Sequence, residues 1–418
     1  MAIFFCHLSV PSFAADTETG DSEFSVDSLL NPKKSTGATI SCQKCDFSNA
    51  AGVKFCGNCG TPIIQKNICP ACKFESKPNA KFCGNCGATL SPPAATAEIK
   101  TTKPKKNEAE FSPAAFMIKG DEFMKAGDYE KAKNEYKNAF DLDPESLECN
   151  LKLGKAYTKA NYFDNADLLF SKILELDTTC VEARFYLSIN LRHKLDTKSE
   201  ESNLKDLLAI CPNHFRALNN LGCLNIKSKR FEDAIFCLKK AVTLNPDYFI
   251  ARINLAAALL YKNKTENAQK VLDKVISIKP NYYLSYYNLG VLNNIKNKFE
   301  DAIIQFDKAL KLKPNHIESI VNKGAVLYRK GKYEEAVAVL KSGLEINKNC
   351  GEIHLNLAAC YEKLSMKTEA AEESQKAITQ NPNLSSQNYP DGIFIGAISE
   401  PDDDNPEFSS GVSIEKSR

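Results

Sequence analysis

Apolar residues recur three and four positions apart through residues 113–384, and the pattern restarts with a constant period of thirty-four residues. Spacing of this kind is typical of amphipathic helices, and each period contains two of them. Because eight consecutive periods follow one register without insertion or deletion, the sequence predicts eight tandem helical hairpins. The predicted hairpins begin at Pro113, Leu147, Val181, Phe215, Phe249, Tyr283, Ile317 and Gly351.

Side-chain size within the period predicts how each hairpin closes. Position eight is small in every period, and position twenty is Ala in seven of the eight. Small side chains let two helix backbones approach closely, and a large residue near position 24 would fill the seam between them. Pro occupies position 32 in six periods, where it ends the second helix. Since one hairpin cannot bury its own apolar face, neighbouring hairpins are expected to stack.

Two periods depart from this pattern. The third has Glu200 at position twenty, within a polar run from Asp196 to Asn203, so its second helix is predicted to be the least stable. The eighth has a polar second helix, Thr368 to Gln380, as expected for a terminal hairpin that no further hairpin covers.

The repeat resembles the tetratricopeptide repeat (TPR) and extends over about two-thirds of the chain. This resemblance implies an all-α solenoid, a right-handed superhelix of eight hairpins whose concave groove is lined by the first helix of each. It also implies that the groove holds a peptide or a partner protein.

Position six contains Asn in five consecutive periods. These residues are Asn220, Asn254, Asn288, Asn322 and Asn356. A carboxamide both donates and accepts hydrogen bonds, so it can pair with the N–H and C=O groups of an extended peptide of any sequence. The column resembles the asparagine ladder of O-linked N-acetylglucosamine transferases, and we predict that it lines a peptide groove. The alternative is that Asn at this position reflects repeat ancestry alone.

A block of eight cysteines precedes the repeats. It contains two copies of one arrangement, in which a Cys-x2-Cys pair is followed by ten intervening residues and a second Cys-x2-Cys pair. The copies are offset by twenty-seven residues: Cys42, Cys45, Cys56 and Cys59, then Cys69, Cys72, Cys83 and Cys86. Four thiolates per copy are the ligand set of a closed, structural zinc site. The block resembles the double zinc ribbon family, which implies two structural Zn²⁺ ions.

Alternatives remain open for the cysteine block. Cys56 and Cys59 could pair instead with Cys69 and Cys72, or the cysteines could form disulfides in an oxidising compartment. A net charge of +4 between Ser41 and Leu90, together with four Phe residues, is also compatible with nucleic-acid binding.

The regions around these two modules are polar and lack periodicity, which predicts flexible or disordered segments. An alternative for the last of them is that it folds back into the groove as an internal occupant. The predicted organisation is a disordered start with a signal-like beginning (1–40), zinc ribbon 1 (41–61), zinc ribbon 2 (67–90), a flexible linker (91–112), the repeats (113–384) and a disordered acidic tail (385–418).

Composition narrows the function classes. The net charge is +2, no run of apolar residues is long enough to span a membrane, and no phosphate loop, nucleophile elbow or paired-carboxylate motif is found. We therefore predict a non-enzymatic, cytoplasmic protein–protein interaction scaffold, with the zinc ribbons as a second interaction module. The alternatives are a regulator whose ribbons bind nucleic acid, and an exported repeat protein if residues 1–15 are a signal remnant.

Overall fold

The computed structural model describes residues 111–385 continuously, together with Gly396, Ile398, Pro401 and four short strands nearer the N-terminus. The chain divides into two compact units, one built from residues 35–217 and the other containing residues 218–418. The two are described separately.

Sixteen helices follow one another in the continuous part of the described chain. The first six are α1 (Pro113–Ala126), α2 (Tyr129–Leu142), α3 (Leu147–Lys159), α4 (Phe163–Leu176), α5 (Val181–His193) and α6 (Thr197–Ile210). The others are α7 (Phe215–Lys227), α8 (Phe231–Leu244), α9 (Phe249–Tyr261), α10 (Thr265–Ile278), α11 (Tyr283–Ile295), α12 (Phe299–Leu312), α13 (Ile317–Arg329), α14 (Tyr333–Ile346), α15 (Gly351–Lys363) and α16 (Lys367–Gln380). The predicted all-α array of eight tandem hairpins is confirmed, and each hairpin begins at the residue that the period predicts.

Local sequence accounts for where several helices begin. Pro113 occupies the first turn of α1, where its missing N–H costs nothing, and the Ser112 hydroxyl accepts from the amide of Ala115 at 3.2 Å. Asp128 caps α2 in the same way, and Asp196 caps α6. These caps satisfy amides that have no partner inside the helix.

The seam of each hairpin is as tight as the small residues predict. A Cβ added to Gly290 on α11 would lie 2.5 Å from the ring of Phe306 on α12, and one added to Gly120 would lie 2.4 Å from Tyr136. Phe306 is fully buried and Tyr136 nearly so. Position eight therefore provides the space that the position-24 side chain occupies.

A feature that the sequence pattern did not predict ends the first helix of every hairpin. Position fifteen has a positive φ between 56° and 76° in all eight: Gly127, Asn161, Leu195, Lys229, Asn263, Asn297, Gly331 and Ser365. In the seventh hairpin the Gly331 amide donates to the carbonyl of Tyr328 at 2.9 Å and the Lys332 amide donates to Leu327 at 3.0 Å. This pair of hydrogen bonds is the Schellman motif, which favours Gly and Asn at the left-handed residue.

The third hairpin accommodates its unusual Glu. Glu200 is only 3% exposed, and its carboxylate accepts from Nε of Arg192 at 2.8 Å. The ion pair lets α6 form over its full length despite the polar run. The prediction that this helix is the least stable stays a prediction.

Four short strands precede the repeats. They are β1 (Thr39–Ser41), β2 (Ser48–Ala50), β3 (Asn67–Ile68) and β4 (Glu75–Ser76). β1 pairs antiparallel with β2, and β3 pairs antiparallel with β4. Ser41 pairs with Ser48 across the first two strands, and Ile68 pairs with Glu75 across the second two. Each residue of the second pair lies twenty-seven positions after its counterpart in the first, which is the offset between the two cysteine sets. The backbone pairing thus repeats with the same period as the cysteines.

Candidate peptide-binding site

The asparagines of the position-six column all lie on the first helices of their hairpins and are buried. They belong to α7, α9, α11, α13 and α15, and none is more than 3% exposed. Because a buried carboxamide needs hydrogen-bond partners, the partners of each Asn indicate what the column does.

Three of these asparagines bond to position five of the preceding hairpin. Nδ2 of Asn254 donates to Oδ1 of Asn219 at 2.8 Å, and Nδ2 of Asn322 donates to the Tyr287 hydroxyl at 3.0 Å. Asn356 donates to the Val321 carbonyl at 3.5 Å, the longest of the three contacts. These hydrogen bonds link consecutive first helices within the unit that contains residues 218–418.

Asn288 has a different partner. Its Nδ2 donates to the carbonyl of Ile398 at 3.0 Å, and its Oδ1 accepts from the amide of the same residue at 3.0 Å. The position-five residue of the preceding hairpin is Ile253, whose side chain has no hydrogen-bonding group. Both polar groups of the Asn288 carboxamide pair with a main chain that lies far along the sequence.

Tyr287 provides a second contact to the same segment. Its hydroxyl donates to the Gly396 carbonyl at 2.9 Å and accepts from Asn322. The ring is fully buried, with the Phe306 ring centroid at 5.8 Å and that of His316 at 5.2 Å. Burial raises the pKa of the Tyr287 hydroxyl well above its ordinary value, so the group stays protonated and remains a donor.

Tyr261, at the end of α9, lies against Gly396. A Cβ added to Gly396 would lie 2.5 Å from the Tyr261 hydroxyl oxygen and 2.9 Å from a ring carbon. The Tyr261 ring is stacked on Phe231, with centroids 5.0 Å apart and planes inclined by 11°. We call the surface formed by Tyr261, Tyr287 and Asn288 the tail site.

Sequence reasoning identified Asn288 but missed the two tyrosines. The signal available at Tyr287 was its position immediately before an Asn of the column, on the same helix. Nothing in the periodicity distinguished Tyr261, because its role depends on a residue far away in the sequence. The predicted tail 385–418 lies mostly outside the described residues, but Gly396 and Ile398 contact the tail site.

Six of the seven cysteines in the repeats are buried, and Cys180 is partly exposed. Burial raises the pKa of the Cys360 thiol to about 12 and that of Cys237 to about 11, which keeps both protonated. Among the residues that the structure describes, no group of His, Cys, Asp and Glu could hold a metal ion, and no helix is long and apolar enough to cross a membrane.

All eight ribbon cysteines lie outside the described residues, but the strands next to them are informative. Cys42 and Cys45 fall between β1 and β2, and Cys69 and Cys72 fall between β3 and β4. Each antiparallel hairpin thus encloses one Cys-x2-Cys pair in its connection. This placement fits a zinc knuckle, in which a tight turn presents two thiolates to one ion.

Known families match both modules. The Double zinc ribbon family matches residues 42–87. Families described as TPR repeat or Tetratricopeptide repeat match residues 120–161, 215–248 and 253–317, and the family described as Anaphase-promoting complex, cyclosome, subunit 3 matches residues 295–377. Membership of the Double zinc ribbon family implies that this region binds zinc.

No curated protein matches the chain in sequence. Among solved structures, the APC/C hetero-tetramer Cut9–Hcn1 is similar with a TM-score of 0.52 and 15% identity, over 66% of this chain and 55% of that one. The chain thus spans little more than half the length of that relative. YrrB, described as a TPR protein with an unusual peptide-binding site, has a TM-score of 0.37 and 22% identity, over 43% of this chain and 93% of its own.

The family matches agree with the eight observed hairpins and with the paired strands that precede them. This chain is a tetratricopeptide repeat protein with an N-terminal double zinc ribbon.

Proposed function

We propose that the protein is a non-enzymatic scaffold that binds an extended peptide through its main chain at the tail site. The observation that carries this proposal is the pair of hydrogen bonds between Asn288 and the amide and carbonyl of Ile398. Because both bonds go to the backbone, the contact requires no particular side chain on that residue of the peptide.

The surroundings of Asn288 support binding of a second peptide group. The Tyr287 hydroxyl reaches a carbonyl two residues before the one bound by Asn288, and Asn322 orients that hydroxyl. Residues two apart in an extended chain face the same side, so both contacts can be made by one strand. A neutral hydrogen bond contributes about 0.5–1.5 kcal/mol net, so several such contacts are needed for useful affinity.

We further propose that the zinc ribbons form a second interaction module on two structural ions. Cys42, Cys45, Cys56 and Cys59 would hold one, and Cys69, Cys72, Cys83 and Cys86 the other. Metal binding would supply most of the folding free energy of modules this small. Metal analysis of the purified chain should give two zinc ions, and Cys42→Ser should reduce this to one. Loss of both ions in that variant would instead indicate that the two sites form only together.

The groove is tested with a fluorescent peptide that copies residues 390–402 and with the full-length chain carrying Gly396→Val, so that the chain's own segment does not compete with the added peptide. Asn288→Leu removes both the donor and the acceptor at similar size, and we expect it to weaken peptide binding by about tenfold or more, since two hydrogen bonds are lost. Asn134→Leu, on the exposed face of α2, is the matched control and should leave the peptide affinity of the same Gly396→Val chain unchanged. Fluorescence anisotropy measures both affinities.

A second measurement does not depend on an added peptide. The Ile398 amide donates to Asn288, so it should exchange with deuterium slowly in the wild type and faster in Asn288→Leu. Main-chain recognition at this position would be refuted by two results together: equal peptide affinity with and without Asn288→Leu in the Gly396→Val chain, and equal Ile398 exchange in the wild type and Asn288→Leu.

A further inference from the structure

Of the described residues in the C-terminal segment, Gly396 lies closest to the two tyrosines of the tail site. It is buried, and its carbonyl accepts from the Tyr287 hydroxyl. Any other residue here would place a Cβ 2.5 Å from the Tyr261 hydroxyl oxygen, closer than non-bonded atoms approach. The Tyr261 ring would have to move to make room, and its stack on Phe231 opposes that movement. The space beside Tyr261 therefore fits glycine and is crowded for any larger residue.

The glycine and the main-chain contact have a fixed spacing. Gly396 meets the two tyrosines, and Ile398, two residues later, pairs with Asn288. A ligand in the same position must place a glycine two residues before the residue whose amide and carbonyl face Asn288. The requirement concerns the glycine alone, because the contacts to Ile398 are made by its backbone.

We infer that the tail site is selective for glycine and that its resident ligand is the chain's own segment around Gly396 and Ile398. This segment competes with partner peptides that have a glycine two residues before the residue bound by Asn288. The inference rests on the proposed function. It adds that the bound peptide contains a glycine and that the chain's own C-terminal segment competes for the site. Gly396 follows Ser385, the last residue of the continuous described chain, by eleven residues (396 − 385). A tether of this length holds a ligand at an effective concentration in the millimolar range, enough to occupy a site of micromolar affinity.

The test uses the full-length wild type and the full-length variant Gly396→Val, whose own segment no longer fits. Two labelled peptides of residues 390–402 are titrated into each protein, one with the natural sequence and one with Val in place of the glycine at 396. We expect the natural peptide to bind Gly396→Val at least about tenfold more tightly than the wild type, since the internal competitor is gone. The Val peptide should bind the variant at least about tenfold more weakly than the natural peptide.

Two controls accompany the titrations. Gly392→Val makes the same chemical change four residues earlier in the segment and should leave peptide affinity as in the wild type. Deuterium exchange should be faster across residues 393–401 in Gly396→Val than in the wild type. Light scattering gives the mass of each protein and should show no change in oligomeric state between them.

The contrary results distinguish which part of the inference is wrong. Equal binding of both peptides to Gly396→Val, or an effect of Gly392→Val as large as that of Gly396→Val, would overturn glycine selectivity while leaving the groove intact. Equal binding of the natural peptide to both proteins would overturn internal competition. A wild-type dimer that becomes monomeric in Gly396→Val would mean that a second copy supplies the segment. Absence of binding in every combination would refute the proposed function itself.

Discussion

The left-handed residue that ends each first helix gives a reciprocal test of how the hairpins close. Lys229 and Gly331 occupy position fifteen of the fourth and seventh hairpins, with φ of 59° and 74°. Both are exposed, and a Cβ at Gly331 would meet nothing within 4 Å. Exchanging the two residue types therefore changes backbone conformational energy without changing the packing.

The expected magnitude follows from two opposing terms. A non-glycine residue in the left-handed region costs about 1–2 kcal/mol, and glycine loses about 0.5–1 kcal/mol more conformational entropy on folding. Lys229→Gly should therefore raise the free energy of unfolding by about 0.5–1 kcal/mol, and Gly331→Lys should lower it by a similar amount. Lys229→Asn should also stabilise the protein, because Asn tolerates this conformation.

Urea titration followed by circular dichroism at 222 nm detects the change, but a repeat array need not unfold in one step. Deuterium exchange of α7 and α8, compared with α13 and α14, locates the effect in the hairpin that was changed. If Lys229→Gly and Gly331→Lys shifted stability in the same direction, backbone strain at position fifteen would not be the cause.

Three further outcomes are expected. Gly290→Ala should lower the free energy of unfolding by about 1–3 kcal/mol, because the added Cβ meets the Phe306 ring, and an unchanged urea midpoint would contradict the tight seam. Arg192→Ala should destabilise the third hairpin by roughly 3 kcal/mol, because Glu200 would remain buried without this cation, whereas Arg192→Lys should cost less. Burial lowers the pKa of His316 from 6.5 to about 3, so its contribution to stability is complete above pH 6.5 and is lost as the pH falls toward 3. The stability difference between the wild type and His316→Gln should decline by about 1.4 kcal/mol per pH unit over that range, and a constant difference would contradict this.

The repeat itself was predictable because its signals are local and periodic. Every hairpin begins at the residue given by the sequence period, and Gly290 lies against Phe306 as small and large positions require. Proline, capping residues and apolar spacing act within a few turns of one helix, so the sequence alone determines them. The left-handed conformation at position fifteen was not predicted, because Leu195, Lys229 and Ser365 are not Gly or Asn, the residue types that favour it.

The tail site could not be predicted from local, periodic signals. The column identified Asn288 as one of five equivalent asparagines, and only the tertiary structure distinguished it, because its partner is Ile398, a residue far along the chain. The role of Gly396 likewise depends on Tyr261, which belongs to a hairpin four periods before the end of the array. The sequence by itself determined the hairpins, because their contacts recur in every period. Only the tertiary structure decided that the fifth and sixth hairpins contact Gly396 and Ile398, because that contact does not follow the period of the repeats.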